Sequence, residues 1–170
     1  MKKLYFLPLL LLVFSCQRQV PNFDLAIHNV NIIDVETGDI TPGQSVFMVD
    51  DTIHSIVSTR DLVTSQAKQN IDGSDQYLLP GFWDNHVHFR GGDSLVAANK
   101  NFLNLFIANG ISTVRECGGD MTHEIHDWQK EIAAGDLVGP TIYTSGPKID
   151  GPGARWAGSL EVSTDEDVTK

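Results

Sequence analysis

From Pro80 onward the chain alternates short β-branched runs with longer stretches of helical period, and few folds accept that alternation. Phe82 to Phe89 reads as a strand. Ser94 to Asn109 carries Leu95, Ala98, Phe102, Leu103 and Phe106 at helical spacing; Asp93 or Ser94 can cap its start and Gly110 can end it. Ile111 to Glu116 is a second strand, followed by Gly118-Gly119. Met121, Ile125, Trp128 and Ile132 mark one face of a second helix that stops near Gly135, and Thr141 to Ser145 is a third strand. A Gly/Pro-rich loop runs to about Leu160. Ser163 or Thr164, followed by Asp165, Glu166 and Asp167, then reads as a capped helix start with its acids at the positive end of the dipole. Parallel neighbours need a long crossover, usually a helix, so the pattern is α/β with a parallel sheet. Three such units do not close a barrel, which takes eight.

The segment before Pro80 has a different texture. Leu25 to Ile33 is an apolar, β-branched run, and Thr37-Gly38-Asp39 follow as turn residues. Ser45 to Val49 and Ile53 to Val57 flank Asp50-Asp51-Thr52 and predict a β-hairpin. Asn70 to Asp72 and Gln76 to Leu79 flank Gly73-Ser74-Asp75, another tight turn. Short strands at this spacing predict a small sandwich or sheet over residues 23–79, with 80–170 as the second domain.

The first residues predict no part of either domain. Lys2 and Lys3 precede Leu4 to Phe14, an apolar run interrupted only by Pro8. The run is shorter than the ~20 apolar residues that cross a bilayer and fits the centre of a secretory signal peptide. Val13-Phe14-Ser15-Cys16 resembles the bacterial lipoprotein box, with Phe14 bulkier than usual. That resemblance implies a signal peptide over 1–15, lipidation at Cys16, a polar tether over 16–22, and a location on the cell envelope outside the cytoplasm. An ordinary signal peptide with an incidental cysteine is the plainer alternative. With Cys16 acylated, Cys117 has no partner in the chain and no disulfide is expected. The formal net charge of −10 repels a phosphate backbone, so nucleic acid is not an expected partner.

Chemistry concentrates in Pro80-Gly81-Phe82-Trp83-Asp84-Asn85-His86-Val87-His88-Phe89-Arg90. On a regular strand, residues two apart share a face. Asp84, His86, His88 and Arg90 are therefore expected on one side, and Trp83, Val87 and Phe89 on the other. Two imidazoles on neighbouring same-face positions can reach one metal ion at about 2.0–2.1 Å.

This strand, in its context, resembles the amidohydrolase superfamily, whose members open with a small β-sandwich, a Pro-Gly-x-x-Asp-x-His-x-His strand and a metal-bearing (β/α)8 barrel. Pro80 to His88 matches that strand in full; Asn109 to Glu116 and Gly139 to Gly146 look like the second and third barrel strands. The resemblance implies the N-terminal part of a (β/α)8 TIM barrel, its first three β/α units, preceded by part of a β-sandwich. It implies hydrolysis of a C–N bond in a small-molecule substrate: an amide, cyclic amide or dipeptide. It implies one or two divalent ions, zinc first, held by His86 and His88 with Asp84 supporting them. A lysine, two more histidines and an aspartate would follow on later strands. Two histidines alone hold metal weakly, so this stretch by itself is expected to be inactive.

Arg90 either binds a substrate carboxylate, as arginines do in the dihydroorotase-like and hydantoinase-like branch, or stands exposed at a strand end. Arg115 either contacts substrate or pairs with Glu116 or Asp120, and the pairing is the expectation. His123 and His126 lack the His-Glu-x-x-His pattern and face away from the second helix's apolar stripe. His28 and His54 are expected at the surface of their sheet, and Cys117 as a buried, inert thiol. Gly151-Pro152-Gly153 lacks a phosphate loop's lysine and reads as a loop over the barrel mouth. Two alternatives stand beside the hydrolase: a non-catalytic, membrane-anchored binding lipoprotein, and a metallo-β-lactamase-type site. The latter expects His-x-His-x-Asp-His, whereas Phe89-Arg90-Gly91 follows here.

Overall fold

The computed structural model describes residues 22–62 and 66–169, and at Gln66 the backbone alone. The signal run, Cys16 and the tether up to Pro21 lie outside the described residues. The chain divides into two compact units between Leu79 and Pro80.

The first unit is one mixed sheet of β1 (Asn22–Ile33), β2 (Ile40–Val49), β3 (Thr52–Ser58), β4 (Gln66–Asp72) and β5 (Tyr77–Leu78). Its order is β3-β2-β1-β4, with β5 also on β1. The hairpin falls where the turn residues put it: Val49 pairs with Thr52. Asp50 takes φ 52°, the left-handed conformation a two-residue hairpin turn requires. Asp24 closes this turn by accepting the Asp50 amide at 2.7 Å, and it also holds Lys68 at 2.6 Å. Those two contacts, the amide first, keep its carboxyl below the usual aspartate range. Phe23, Ala26 and Phe47 form the buried centre.

One expected bound shifts here. β1 begins at Asn22, one residue inside the expected tether, and Asn22 pairs with Gln66. Gly73-Ser74-Asp75 makes the expected tight turn, the Gln76 amide donating to the Gly73 carbonyl at 2.9 Å, without reversing the strand direction. β4 and β5 both run parallel to β1, with His28 opposite Asp72 and Asn31 opposite Tyr77. The turn is a jog between two segments lying along one edge of β1. His28 is half-buried between Ser45 Oγ at 3.0 Å and Asn70 Oδ1 at 3.1 Å, a role in the sheet that a surface position did not suggest. His54 is exposed, its ring edge-on to Phe23.

The second unit is built on β6 (Phe82–Val87), α1 (Val96–Ala108), β7 (Ile111–Glu116), α2 (Thr122–Ala134) and β8 (Thr141–Thr144). The three strands are parallel in the order β6-β7-β8, as a strand-helix alternation demands. Phe89, Leu103, Val114, Met121, Ile125, Trp128 and Ile142 make the core between sheet and helices. Gly135 ends α2 at φ 80°, its amide turning back to the last carbonyls. The start of α1 differs from expectation. Neither Asp93 nor Ser94 caps it, and a 3-10 turn over Asp93–Leu95 leads into the helix instead. His123 and His126 are exposed on α2.

The Gly/Pro-rich segment after β8 has a fixed frame. β9 (Ile149–Asp150) pairs in parallel with β10 (Leu160–Glu161), so its two ends are tied together. At the expected helix start the described residues form a 3-10 turn over Asp167–Thr169, and Asp167 Oδ2 accepts the amides of Ser163 and Thr164 at 3.0 Å each. Among the described residues no helix is long and apolar enough to cross a membrane.

Candidate metal centre

The site begins with an irregularity in β6. Asp84 pairs with Val114 and Val87 with Glu116, so three steps on β6 oppose two on β7. The extra residue makes a β-bulge at Asn85-His86 and breaks the two-residue alternation there. This corrects the expected division of faces. Trp83 pairs with Thr113 and stacks on Tyr143 on the open side of the sheet, rings 5.5 Å apart. Val87 and Phe89 pack into the helical core instead. Asp84, opposite core residue Val114, meets His86 through the backbone: its Oδ1 accepts the His86 amide at 3.1 Å.

The bulge brings His86 together with His88. Their Nε2 atoms are 3.1 Å apart and their rings meet nearly edge to face, 75° between planes. His88 Nδ1 lies 2.8 Å from the Gly118 carbonyl oxygen. A carbonyl only accepts, so Nδ1 carries the hydrogen and neutral His88 turns the Nε2 lone pair toward His86. Two bonds of about 2.0–2.1 Å across that 3.1 Å gap subtend roughly 100°, close to tetrahedral. The two imidazoles thus fit as one side of a divalent ion's shell. Among the described residues no third His, Cys, Asp or Glu joins them.

The loops around the pair are close-packed. A Cβ on Gly119 would fall 2.0 Å from the Phe89 carbonyl oxygen. Asp120 bridges two loops, accepting the Gly91 amide at 3.0 Å and the Gly92 amide at 3.2 Å. With that carboxylate so engaged, Arg115 does not pair with it. Arg115 does not pair with Glu116 either, because the two neighbours on β7 point to opposite sides. Arg115 is exposed, while Glu116 is fully buried on the Val114 side. Glu116 Oε2 accepts the Thr144 hydroxyl at 2.8 Å, and among the described residues Oε1 has no partner. Period two already placed a carboxyl on the core face here, and the expectation of an ion pair overlooked it. Arg90 is exposed with its guanidinium 5.5 Å over Trp156, joined there by Lys148 at 4.0 Å. No local pattern announces Lys148 or Trp156, which come to Arg90 from the segment after β8. Cys117 is half-buried, its Sγ 3.5 Å from the Asn85 carbonyl, rather than sealed in the core.

No family model matches the chain. It is similar to an adenine deaminase of Staphylothermus marinus, 30% identical over 93 residues, which are 54% of this chain and 15% of that one. An adenine deaminase of Clostridium acetobutylicum is 32% identical over 90 residues, 53% of this chain and 14% of the relative. Among solved structures, a Bifidobacterium longum chain assigned as a prolidase superposes with a TM-score of 0.73 at 22% identity, covering 86% of this chain and 37% of that one. A Xaa-Pro dipeptidase with bound methionine gives 0.65 at 23% identity, covering 74% and 34%. The chain therefore spans about a seventh of the curated relatives and about a third of the structures it matches.

Proposed function

We propose, from the premise that the chain carries the opening strands of an amidohydrolase-superfamily fold, that it supplies His86 and His88 to the metal centre of a hydrolase acting on a C–N bond of a small molecule. The convergence of two Nε2 atoms at 3.1 Å carries this reading. A divalent ion held there would activate water at neutral pH. The chain's own residues set the geometry. Gly118 fixes the His88 ring, and Asp84 holds the backbone at His86. Arg115, on the open face of the sheet, is the candidate substrate contact on β7. The imidazole donors suit zinc. The remaining ligands that the resemblance implies would come from later strands, so no turnover is expected from the described residues alone. Adenine deaminases and a Xaa-Pro dipeptidase both break C–N bonds, which is the chemistry the two kinds of match have in common.

The test is zinc titration by calorimetry of the chain and of its His86→Ala and His88→Ala variants. Each variant is expected to bind at least tenfold more weakly. Equal zinc content in the chain and in the double variant removes the role assigned to these rings.

We further propose that Cys16 is acylated and holds the protein to the cell envelope, on the strength of Leu4 to Phe14 ending at Ser15-Cys16. Intact mass of the membrane fraction reads this directly. A Cys16→Ala variant that stays in that fraction refutes it.

A further inference from the structure

We propose that Asp150-Gly151 is a site of spontaneous backbone modification, closing to a succinimide and reopening as isoaspartate, and that the fold selects it over two other pairs of the same chemistry. The proposal stands apart from the metal-centre reading. Three positions place glycine after an aspartate or asparagine: Asp72-Gly73, Asn109-Gly110 and Asp150-Gly151. Glycine leaves its own backbone nitrogen uncrowded and conformationally free. In each pair that nitrogen could attack the preceding side chain.

Two of the three are locked. The Gly73 amide donates to the His28 carbonyl at 2.7 Å, and a Cβ on Gly73 would fall 2.9 Å from Val30 Cβ, so this backbone is both bonded and packed. Asp72 Oδ1 meanwhile accepts the Ser74 hydroxyl at 2.7 Å and Asn29 Nδ2 at 3.2 Å. The Gly110 amide donates to the Ile107 carbonyl at 2.9 Å, and Asn109 Nδ2 to the Leu105 carbonyl at 2.8 Å, which ties both reacting groups to the end of α1. Gly151 differs. It lies just past β9, its amide nitrogen is 2.9 Å from Asp150 Oδ1, and among the described residues that oxygen is its only acceptor. Both residues are exposed, and a Cβ on Gly151 would meet nothing within 4 Å, so the carboxyl has room to turn onto the nitrogen. The Gly151 nitrogen attacks Cγ of the protonated carboxyl; an N–Cγ bond forms, and the amide proton leaves with the hydroxyl as water. Water then adds to the Asp150 main-chain carbonyl carbon and breaks its bond to the Gly151 nitrogen, which takes up a proton. The chain now runs through Cβ and Cγ, one methylene longer, and the former carbonyl belongs to a free carboxylate. That carbonyl accepts the Val162 amide at 2.8 Å, so the rearrangement falls on the β9-β10 pairing.

The experiment incubates the folded chain and a guanidinium-unfolded sample side by side, digests both, and follows the peptides by chromatography and mass spectrometry. The succinimide is lighter than its parent by one water. Isoaspartate has the parent's mass but resists endoproteinase Asp-N. In the folded chain Asp150-Gly151 is expected to convert at least fivefold faster than Asp72-Gly73. Unfolding should speed Asp72-Gly73 and Asn109-Gly110 at least fivefold and Asp150-Gly151 less than twofold. Gly151→Ala, for which there is space, should slow conversion at Asp150 about tenfold. Equal rates at the two Asp-Gly pairs in the folded chain overturn the assignment. So does an acceleration at Asp150 on unfolding that matches the other pairs, or an undiminished rate in Gly151→Ala.

Discussion

His88 Nδ1 and the Gly118 carbonyl oxygen lie 2.8 Å apart, so this imidazole is oriented by the loop after β7 and not by its own strand. Gly118 can serve because it takes φ 92°, a conformation that costs other residues about 1–3 kcal/mol. Gly118→Ala adds that strain to a collision with the Lys148 stem. The expected outcome is a loss of about 1–3 kcal/mol in urea unfolding, with weakened zinc binding although no metal-binding group has changed. A variant as stable as the parent would show that the loop can re-form without this contact.

Asp120 is expected to act as a clamp. It accepts both the Gly91 and Gly92 amides, and hydrogen bonds to a charged group contribute about 1.5–3 kcal/mol. Asp120→Ala should speed hydrogen exchange at those two amides and destabilise the second unit. Asp120→Asn keeps an acceptor oxygen and should lose less. Equal exchange in all three proteins would show that the clamp carries no weight.

Thr144 provides the hydroxyl bonded to Glu116 Oε2, and Glu116 Oε1 already lacks a partner among the described residues in a fully buried site. Thr144→Val would leave the whole carboxyl unpaired, which costs about 1–3 kcal/mol. The same variant also removes the acceptor for the Gly146 amide. Thr144→Ser should recover most of the loss, because it restores the hydroxyl. Chemical unfolding of the three proteins decides this, and a Val variant matching the Ser variant would count against the bond.

Asp72 predicts a pH dependence in the first unit. The Ser74 hydroxyl, Asn29 Nδ2 and the Ser74 amide, in that order, hold its carboxyl below the ordinary aspartate value of 3.8. A carboxyl lowered in the folded state adds stability above the unfolded pKa, and that contribution is lost as pH falls through the folded pKa. Ser74→Ala should move the Asp72 carbon-13 titration upward toward 3.8. Asp72→Asn should remove this part of the acid limb from the stability curve. An unmoved midpoint in Ser74→Ala rules the hydroxyl out as the cause.

What could be foreseen of the fold was mostly local. The hairpin at Asp50-Asp51 follows from turn chemistry, and β7 and α2 from periods of 2 and 3.6 interrupted by glycine. Partner choice was harder. Gly73-Ser74-Asp75 makes the tight turn its composition implies, yet β4 and β5 both run along β1, because pairing depends on distant residues that local composition does not encode. The bulge at Asn85-His86 likewise has no signature in residue type, although it moved Trp83 away from Val87 and Phe89. At the site, neighbouring positions brought His86 and His88 into view. Lys148 and Trp156 stayed hidden, since only tertiary structure brings them to Arg90.

The parallel seam in the first unit also sets an order of events during synthesis. β2 and β3 can zip together as soon as they leave the ribosome, being joined by a two-residue turn. β1, though made earlier, cannot complete its far edge until Gln66 has emerged to meet Asn22 and Leu78 to meet Ile32. In that interval one side of the opening strand is an unpaired edge, available to a neighbouring nascent chain. A chaperone that shields extended segments would matter most in that window.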